Sequence, residues 1–234
     1  MTDEAVIWHD LECGSYAADL PVWSELARGV RGALLDVGAG TGRVTMALAR
    51  EGHAVIALEC EATLANELRR RADGLAVEVV LADACDFALA SAVELVIVPM
   101  QTIHLLADRS GFLRCARRAL AAGGTLAVAL LGEGVEPFEL ELDADAVELG
   151  GVRYESAPTA LRRDGDAVVL ERRRSRIANA GACTHEDVVR LHELDGATLA
   201  REAAEHGLAM LGGRRVAPTA EHAGSEIVLL GVAR

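Results

Sequence analysis

Gly38, Gly40 and Gly42 stand at alternate positions in the stretch DVGAGTG, and Glu59 closes the apolar run VIALE that follows it. Glycines at this spacing permit left-handed backbone and let a ligand approach the main chain with no Cβ in the way. A carboxylate beside them has two acceptor oxygens, which suit a pair of adjacent hydroxyl donors. The dinucleotide fingerprint would need glycine where Arg43 stands, and the phosphate loop would need a lysine. All 23 basic residues are arginine. Neither phosphate motif fits, and a lysine Schiff base or lysine general base is excluded outright.

These residues need elements to hold them. From Ala33 the pattern alternates: a strand over 33–37, the glycine turn, a helix over about 42–51, a strand over 54–58, a helix over 62–72 and a strand over 77–81. This is a βαβαβ run, the signature of a parallel sheet with helical crossovers. AVELVIVPM continues it as a wholly apolar strand, followed by a helix starting near Ser110 as N-cap and ending at Gly123 and Gly124, and TLAVALL reads as a fifth strand. Strands so uniformly apolar are those buried on both faces of a central sheet. After Gly132 apolar and charged residues alternate around an Asp164-Gly165 hairpin signal, which predicts an inserted antiparallel element. THEDVVRLHEL fits helix and strand equally. Asp195 is placed to cap a helix reaching His206, with Gly207 just past its end, and two closing strands follow. Ahead of the sheet, residues 1–32 carry loosely helical apolar spacing broken by Gly14 and Pro21.

A glycine turn between a first strand and a first helix lies at the carboxyl edge of the sheet, where open α/β folds bind ligands. Taken with its acidic start, DVGAGTG closely resembles the first motif of the class I S-adenosylmethionine-dependent methyltransferases. Glu59 stands where that family places an acid on the ribose hydroxyls, and Asp83, in VVLADACDF, where it places one on the adenine amino group, with the Ala84 amide turned to the ring. ELVIVPMQTIHLL resembles the fourth motif, and FLRCARRALAAGGTLAVAL the helix, glycine turn and fifth strand that follow. The resemblance implies a cofactor seat made of Asp36, Gly38, Ala39, Gly40, Gly42, Glu59, Cys60, Asp83, Ala84, Pro99, Met100 and Gln101, with Asp36 toward the methionine end. It implies S-adenosylmethionine as cofactor and S-adenosylhomocysteine as product. The fold it implies is α/β and Rossmann-like: a seven-stranded, mostly parallel sheet flanked by helices, with an antiparallel β insertion after strand 5. The domains expected are an N-terminal helical lid over 1–32, a cofactor domain over 33–132 and 195–234, and an insertion over 133–194 that serves substrate or a dimer.

Methyl transfer is an in-line displacement, so the protein mainly supplies alignment and a dry pocket. A neutral amine needs little more, whereas a hydroxyl acceptor usually wants a general base. His104, just after the fourth strand, is the candidate base; a cofactor-edge or packing role is the competing reading. Tyr16 and Trp8, with His9 and Trp23, are candidate lid residues against substrate, and plain core packing competes with that reading too. ERRRSR at 171–176 reads either as an anion-reading face or as a solvated strand face. The histidines lack ligand spacing, so no metal site is expected.

The formal net charge of −13 argues against a nucleic-acid partner, whose backbone demands clustered cations. Five cysteines without a C-x-x-C pair fit reduced thiols in a cytoplasm. The acidic N-terminus lacks a signal pattern, and the longest apolar stretch is too short and glycine-rich to span a bilayer. The expectation is therefore a soluble, cytoplasmic methyltransferase acting on N or O of a small molecule, with no membrane partner and with a homodimer left open. Alternatives are a noncatalytic S-adenosylmethionine-binding protein, a protein methyltransferase and, weakened by Arg43, a nucleotide-dependent dehydrogenase.

Overall fold

The computed structural model describes residues 2–132, 137, 143–219 and 224–232. The chain forms two compact units, one of residues 16–133 and 194–234, the other of residues 1–15 and 134–193. The N-terminal segment is thus shared: helix α1 (Glu4–Cys13) belongs to the smaller unit and α2 (Leu20–Ala27) to the larger.

The larger unit continues through β1 (Leu34–Val37), α3 (Arg43–Arg50), β2 (Val55–Glu59), α4 (Ala62–Arg71), β3 (Val77–Leu81) and β4 (Val93–Val98). Then come α5 (Thr102–Leu105), α6 (Arg109–Ala119) and β5 (Leu120–Leu131). The smaller unit supplies β6 (Asp145–Leu149), β7 (Val152–Asp164), β8 (Ala167–Ala178) and β9 (Gly181–His192). The chain returns to the larger unit with α7 (Gly196–Glu205), β10 (Leu208–Val216) and β11 (Ser225–Val232).

The seven-stranded sheet has the order β10-β11-β5-β4-β1-β2-β3. The first five strands run parallel, and β11 is antiparallel to both β5 and β10. The strand order reverses between β1 and β4, which opens a ligand crevice beyond their carboxyl ends. One face packs Leu35, Val37, Val96 and Val98 against Phe112, Leu113 and Leu199. The other packs Leu34, Leu95 and Ile97 against Trp23, Val44 and Leu48. Successive residues of one strand therefore enter different cores, which is why these strands carry no polar alternation. Among the described residues no helix is long and apolar enough to cross a membrane.

Three local expectations change. The cap of α6 is Asp108, whose carboxylate accepts from the Gly111 amide at 2.8 Å, while Ser110 lies inside the helix. That helix stops at Ala119, before the glycines, and Gly123 turns the chain with φ of 77°. THEDVVRLHEL is strand as far as His192, because β9 pairs along its whole length with β8; cross-strand pairing decides what periodicity left open.

In the smaller unit the sheet order is β6-β7-β8-β9, with Gly165 at φ of 63° in the β7–β8 turn. Of the arginines of β8, Arg172 and Arg174 turn to α1, while Arg173 and Arg176 are exposed. Arg174 donates to Glu12 of α1 through Nε and Nη2, both at 2.7 Å, Arg172 also pairs with Glu12, and Arg176 meets Glu4 at 3.1 Å. These cations, aided by the Ser156 hydroxyl, hold the Glu12 carboxyl below its ordinary pKa although burial pushes the other way.

Candidate functional site

β1 ends at Val37 and the chain turns at once, with φ of 70° at Gly38, 56° at Gly40 and 100° at Gly42. The amides of Gly38 and Ala39 both donate to the Leu58 carbonyl, which ties the turn to β2. A Cβ on Gly38 would lie 2.5 Å from Thr102 Cγ2, and one on Gly42 2.3 Å from Leu68 Cδ1. At both positions glycine is demanded twice, by backbone conformation and by neighbouring side chains.

Glu59 is buried at the end of β2. Its Oε2 accepts from the Gly40 amide at 2.7 Å, and its Oε1 from the amides of Cys60 and Glu61, both at 2.9 Å. The acid and the glycine turn are thus joined directly, and Oε2 retains acceptor capacity for an outside hydroxyl. After β3, Asp83 accepts from the Cys85 amide at 2.8 Å through Oδ1 while its side chain stays exposed, and Ala84 is buried beside it. Burial, then the charge of Glu59, pushes the Cys60 thiol up; burial and Asp83 do the same to Cys85. Both thiols therefore stay neutral near pH 7 and are poor nucleophiles.

Asp36, on β1, is 1% exposed. Its Oδ2 accepts from the Thr45 hydroxyl at 2.6 Å, and its Oδ1 has no hydrogen-bond partner among the described residues. The nearby cation is already engaged: Arg43 lies bidentate on Asp19 at 2.5 and 2.8 Å and donates to the Tyr16 carbonyl at 2.7 Å. Trp23 Nε1 donates to Asp19 Oδ2 at 2.8 Å. In the sequence Arg43 shows only as the break in a glycine fingerprint. A charged residue directly after a glycine turn, with acids upstream, was the signal for a partner.

Beyond β4 the backbone of Met100 is left-handed, with φ of 54°, an uncommon conformation for a residue with a side chain. Met100 and Gln101 line a cleft with Tyr16, Leu130, Leu131, Gly224 and Ser225, and Thr102 links it to Gly38. Pro99 is buried, and its carbonyl accepts from the Thr102 hydroxyl at 3.1 Å. His104 is 2% exposed, and its Nε2 accepts from the Leu131 amide at 2.9 Å. That nitrogen carries no proton, and the bond fastens α5 to β5. Tyr16 belongs to the larger unit, under the Arg43 guanidinium at 5.1 Å. Burial and Asp19 raise its pKa, so the phenol keeps its proton. Trp8 lies in the smaller unit, buried edge-on against Tyr154 with ring centroids 5.3 Å apart. Its side chain serves that packing.

A cofactor with a ribose diol, an adenine amine and a zwitterionic amino-acid end fits these groups: Oε2 of Glu59, the exposed carboxylate of Asp83, and a buried carboxyl oxygen of Asp36 that lacks a donor. Among the described residues no cluster of His, Cys, Asp or Glu is gathered for a metal.

Residues 34–124 match the family model described as "Methyltransferase domain". No curated protein sequence matches the chain. Among solved structures, the chain is similar to the CcbJ methyltransferase of Streptomyces caelestis (21% identity, 93% of this chain and 91% of that one, TM-score 0.70). It is also similar to DesVI of Streptomyces venezuelae (19%, 97% and 98%, TM-score 0.75). The sugar N-methyltransferase KedS8 from a Streptoalloteichus species matches comparably (20%, 99% and 92%, TM-score 0.75). At these identities the likeness is one of fold.

Proposed function

We propose, for a chain whose residues 34–124 form a methyltransferase domain on a class I S-adenosylmethionine-dependent methyltransferase fold, that the methyl acceptor is an amine nitrogen of a small molecule. When bound, S-adenosylmethionine supplies an electrophilic methyl group on its sulfonium. Glu59, Asp83 and Asp36 hold the nucleoside and amino-acid ends, and the glycine turn admits them close to the main chain.

The observation that carries the choice of nitrogen is the commitment of His104 Nε2 to the Leu131 amide. A hydroxyl acceptor would need a base near neutral pKa at the cleft. The cleft walls offer the Tyr16 phenol, the Gln101 amide and the Ser225 hydroxyl among apolar side chains, and the raised pKa of Tyr16 keeps it protonated. A neutral amine brings its own lone pair and needs only alignment. The sugar and glycopeptide N-methyltransferases among the structures of this fold support the same choice, and an amino sugar or its glycoside is the substrate class to try first. A noncatalytic binding role would keep the cofactor and lose the transfer.

The test is transfer of labelled methyl from S-adenosylmethionine to a panel of amino sugars and their hydroxyl counterparts. Methylated amines with untouched hydroxyl counterparts are expected. Transfer to the hydroxyl compounds alone would overturn the choice of nitrogen, and binding of NAD in place of S-adenosylhomocysteine would overturn the methyltransferase reading.

A further inference from the structure

We propose that Asp36 holds a proton while the cofactor site is empty and surrenders it when the ammonium of the cofactor's amino-acid end arrives, coupling cofactor binding to proton release. This rests on the function proposed above. It goes further in assigning a protonation change to one residue.

Three ionisable groups share this buried region of the larger unit, and their charges do not balance. Asp19, just before α2, and Asp36, on β1, are 2% and 1% exposed. The charged groups acting on Asp36 are Arg43 from the start of α3 and Asp19. Arg43 gives both terminal nitrogens to Asp19 and a further bond to the Tyr16 carbonyl. One cation therefore answers one carboxylate, and the second carboxylate has none.

Asp36 is hydrogen-bonded by Thr45 alone, whose hydroxyl donates to Oδ2 and whose backbone amide assists, while Oδ1 is buried without a partner among the described residues. An ionised carboxylate out of water and without a counter-charge is costly, and the cheaper state is the neutral acid. In line with this, burial pushes the Asp36 pKa up to about 7, against the opposing pull of the Thr45 hydroxyl, Arg43 and the Thr45 amide. An incoming ammonium supplies the absent counter-charge and favours the ionised form. The O–H bond of Asp36 breaks, its proton passes to solvent, and the carboxylate pairs with an ammonium that keeps all its own protons.

The full chain would be titrated calorimetrically with S-adenosylhomocysteine at pH 6 and at pH 8, each in two buffers of different ionisation enthalpy. The dependence of the heat on the buffer reads the protons released. About one proton per site is expected at pH 6, falling toward none at pH 8, where Asp36 is already ionised. Methylthioadenosine, which lacks the amino-acid end, should bind at pH 6 with no release. Asp36→Asn should bind methylthioadenosine as the wild type does, which reports an intact nucleoside site, and bind S-adenosylhomocysteine without release. Wild-type binding of S-adenosylhomocysteine with no buffer dependence at pH 6 would overturn the proposal, as would undiminished release from Asp36→Asn, while the methyltransferase reading would stand. Failure of both nucleosides to bind would remove that reading and this inference with it.

Discussion

Arg43 and Asp19 form a bidentate ion pair, at 2.5 and 2.8 Å, with both side chains below 10% exposure. Arg43 follows directly on the left-handed Gly42, and Asp19 precedes α2. The pair therefore joins the glycine turn to the segment that carries Tyr16. Removing one partner leaves a buried charge uncompensated, so Arg43→Ala should destabilise the larger unit by about 3–5 kcal/mol. Replacing both residues with apolar side chains of similar volume should cost less than Arg43→Ala alone. Urea denaturation of the two variants checks the order.

Asp36 should also leave a mark on stability. Its folded pKa of about 7 lies above the ordinary carboxylate value near 4, so between these values the folded state binds more protons than the unfolded one. Stability contributed by this group is present below pH 4 and is lost as the pH rises to 7, in total on the order of 4 kcal/mol. Asp36→Asn removes the dependence. Its thermal midpoint should exceed the wild type's by several degrees at pH 8 and differ little at pH 4.

Glu59 accepts three backbone amides and is the proposed acceptor of a ribose hydroxyl. Glu59→Gln replaces one acceptor oxygen by a donor and removes the charge. S-adenosylhomocysteine should then bind at least about tenfold more weakly, the scale of one charge-assisted hydrogen bond. Isothermal titration against the wild type measures it.

Gly38→Ala forces a side chain into left-handed backbone and against Thr102 at 2.5 Å. Gly52 is also left-handed, at 96°, but a Cβ there meets nothing within 4 Å. Gly52→Ala should cost only the conformational penalty of about 1–2 kcal/mol, and Gly38→Ala clearly more. Combining Gly38→Ala with Thr102→Ala should recover part of the difference in a thermal melt.

His104→Gln tests the positioning task. The glutamine carbonyl can accept from the Leu131 amide as the imidazole does, so the variant should keep methyl transfer within a few fold and show a flat pH profile around 6–7. His104→Ala leaves that buried amide without its acceptor and should lower the melting temperature, at a cost of about 1–3 kcal/mol.

Legible in the chain alone were the βαβ order, the glycine turn, the acid that ends β2 and the acid that follows β3. These rest on short-range patterns: apolar runs bounded by turn residues, and glycine where left-handed backbone is required. It also placed α7 between Asp195 and His206, because an N-cap and a C-terminal glycine act within one turn of chain. Which of the two readings β9 follows depended on long-range packing, since its strand state comes from pairing with β8. Tertiary structure likewise placed Trp8 and Tyr16 in different units, turned Arg172 and Arg174 onto Glu12, bound His104 to Leu131 and paired Arg43 with Asp19. Partners 24 to 162 residues apart leave no periodicity in the chain. Their identity follows from which side chains the packed sheets bring within 3 Å, and a buried charge then takes whichever counter-charge lies in reach.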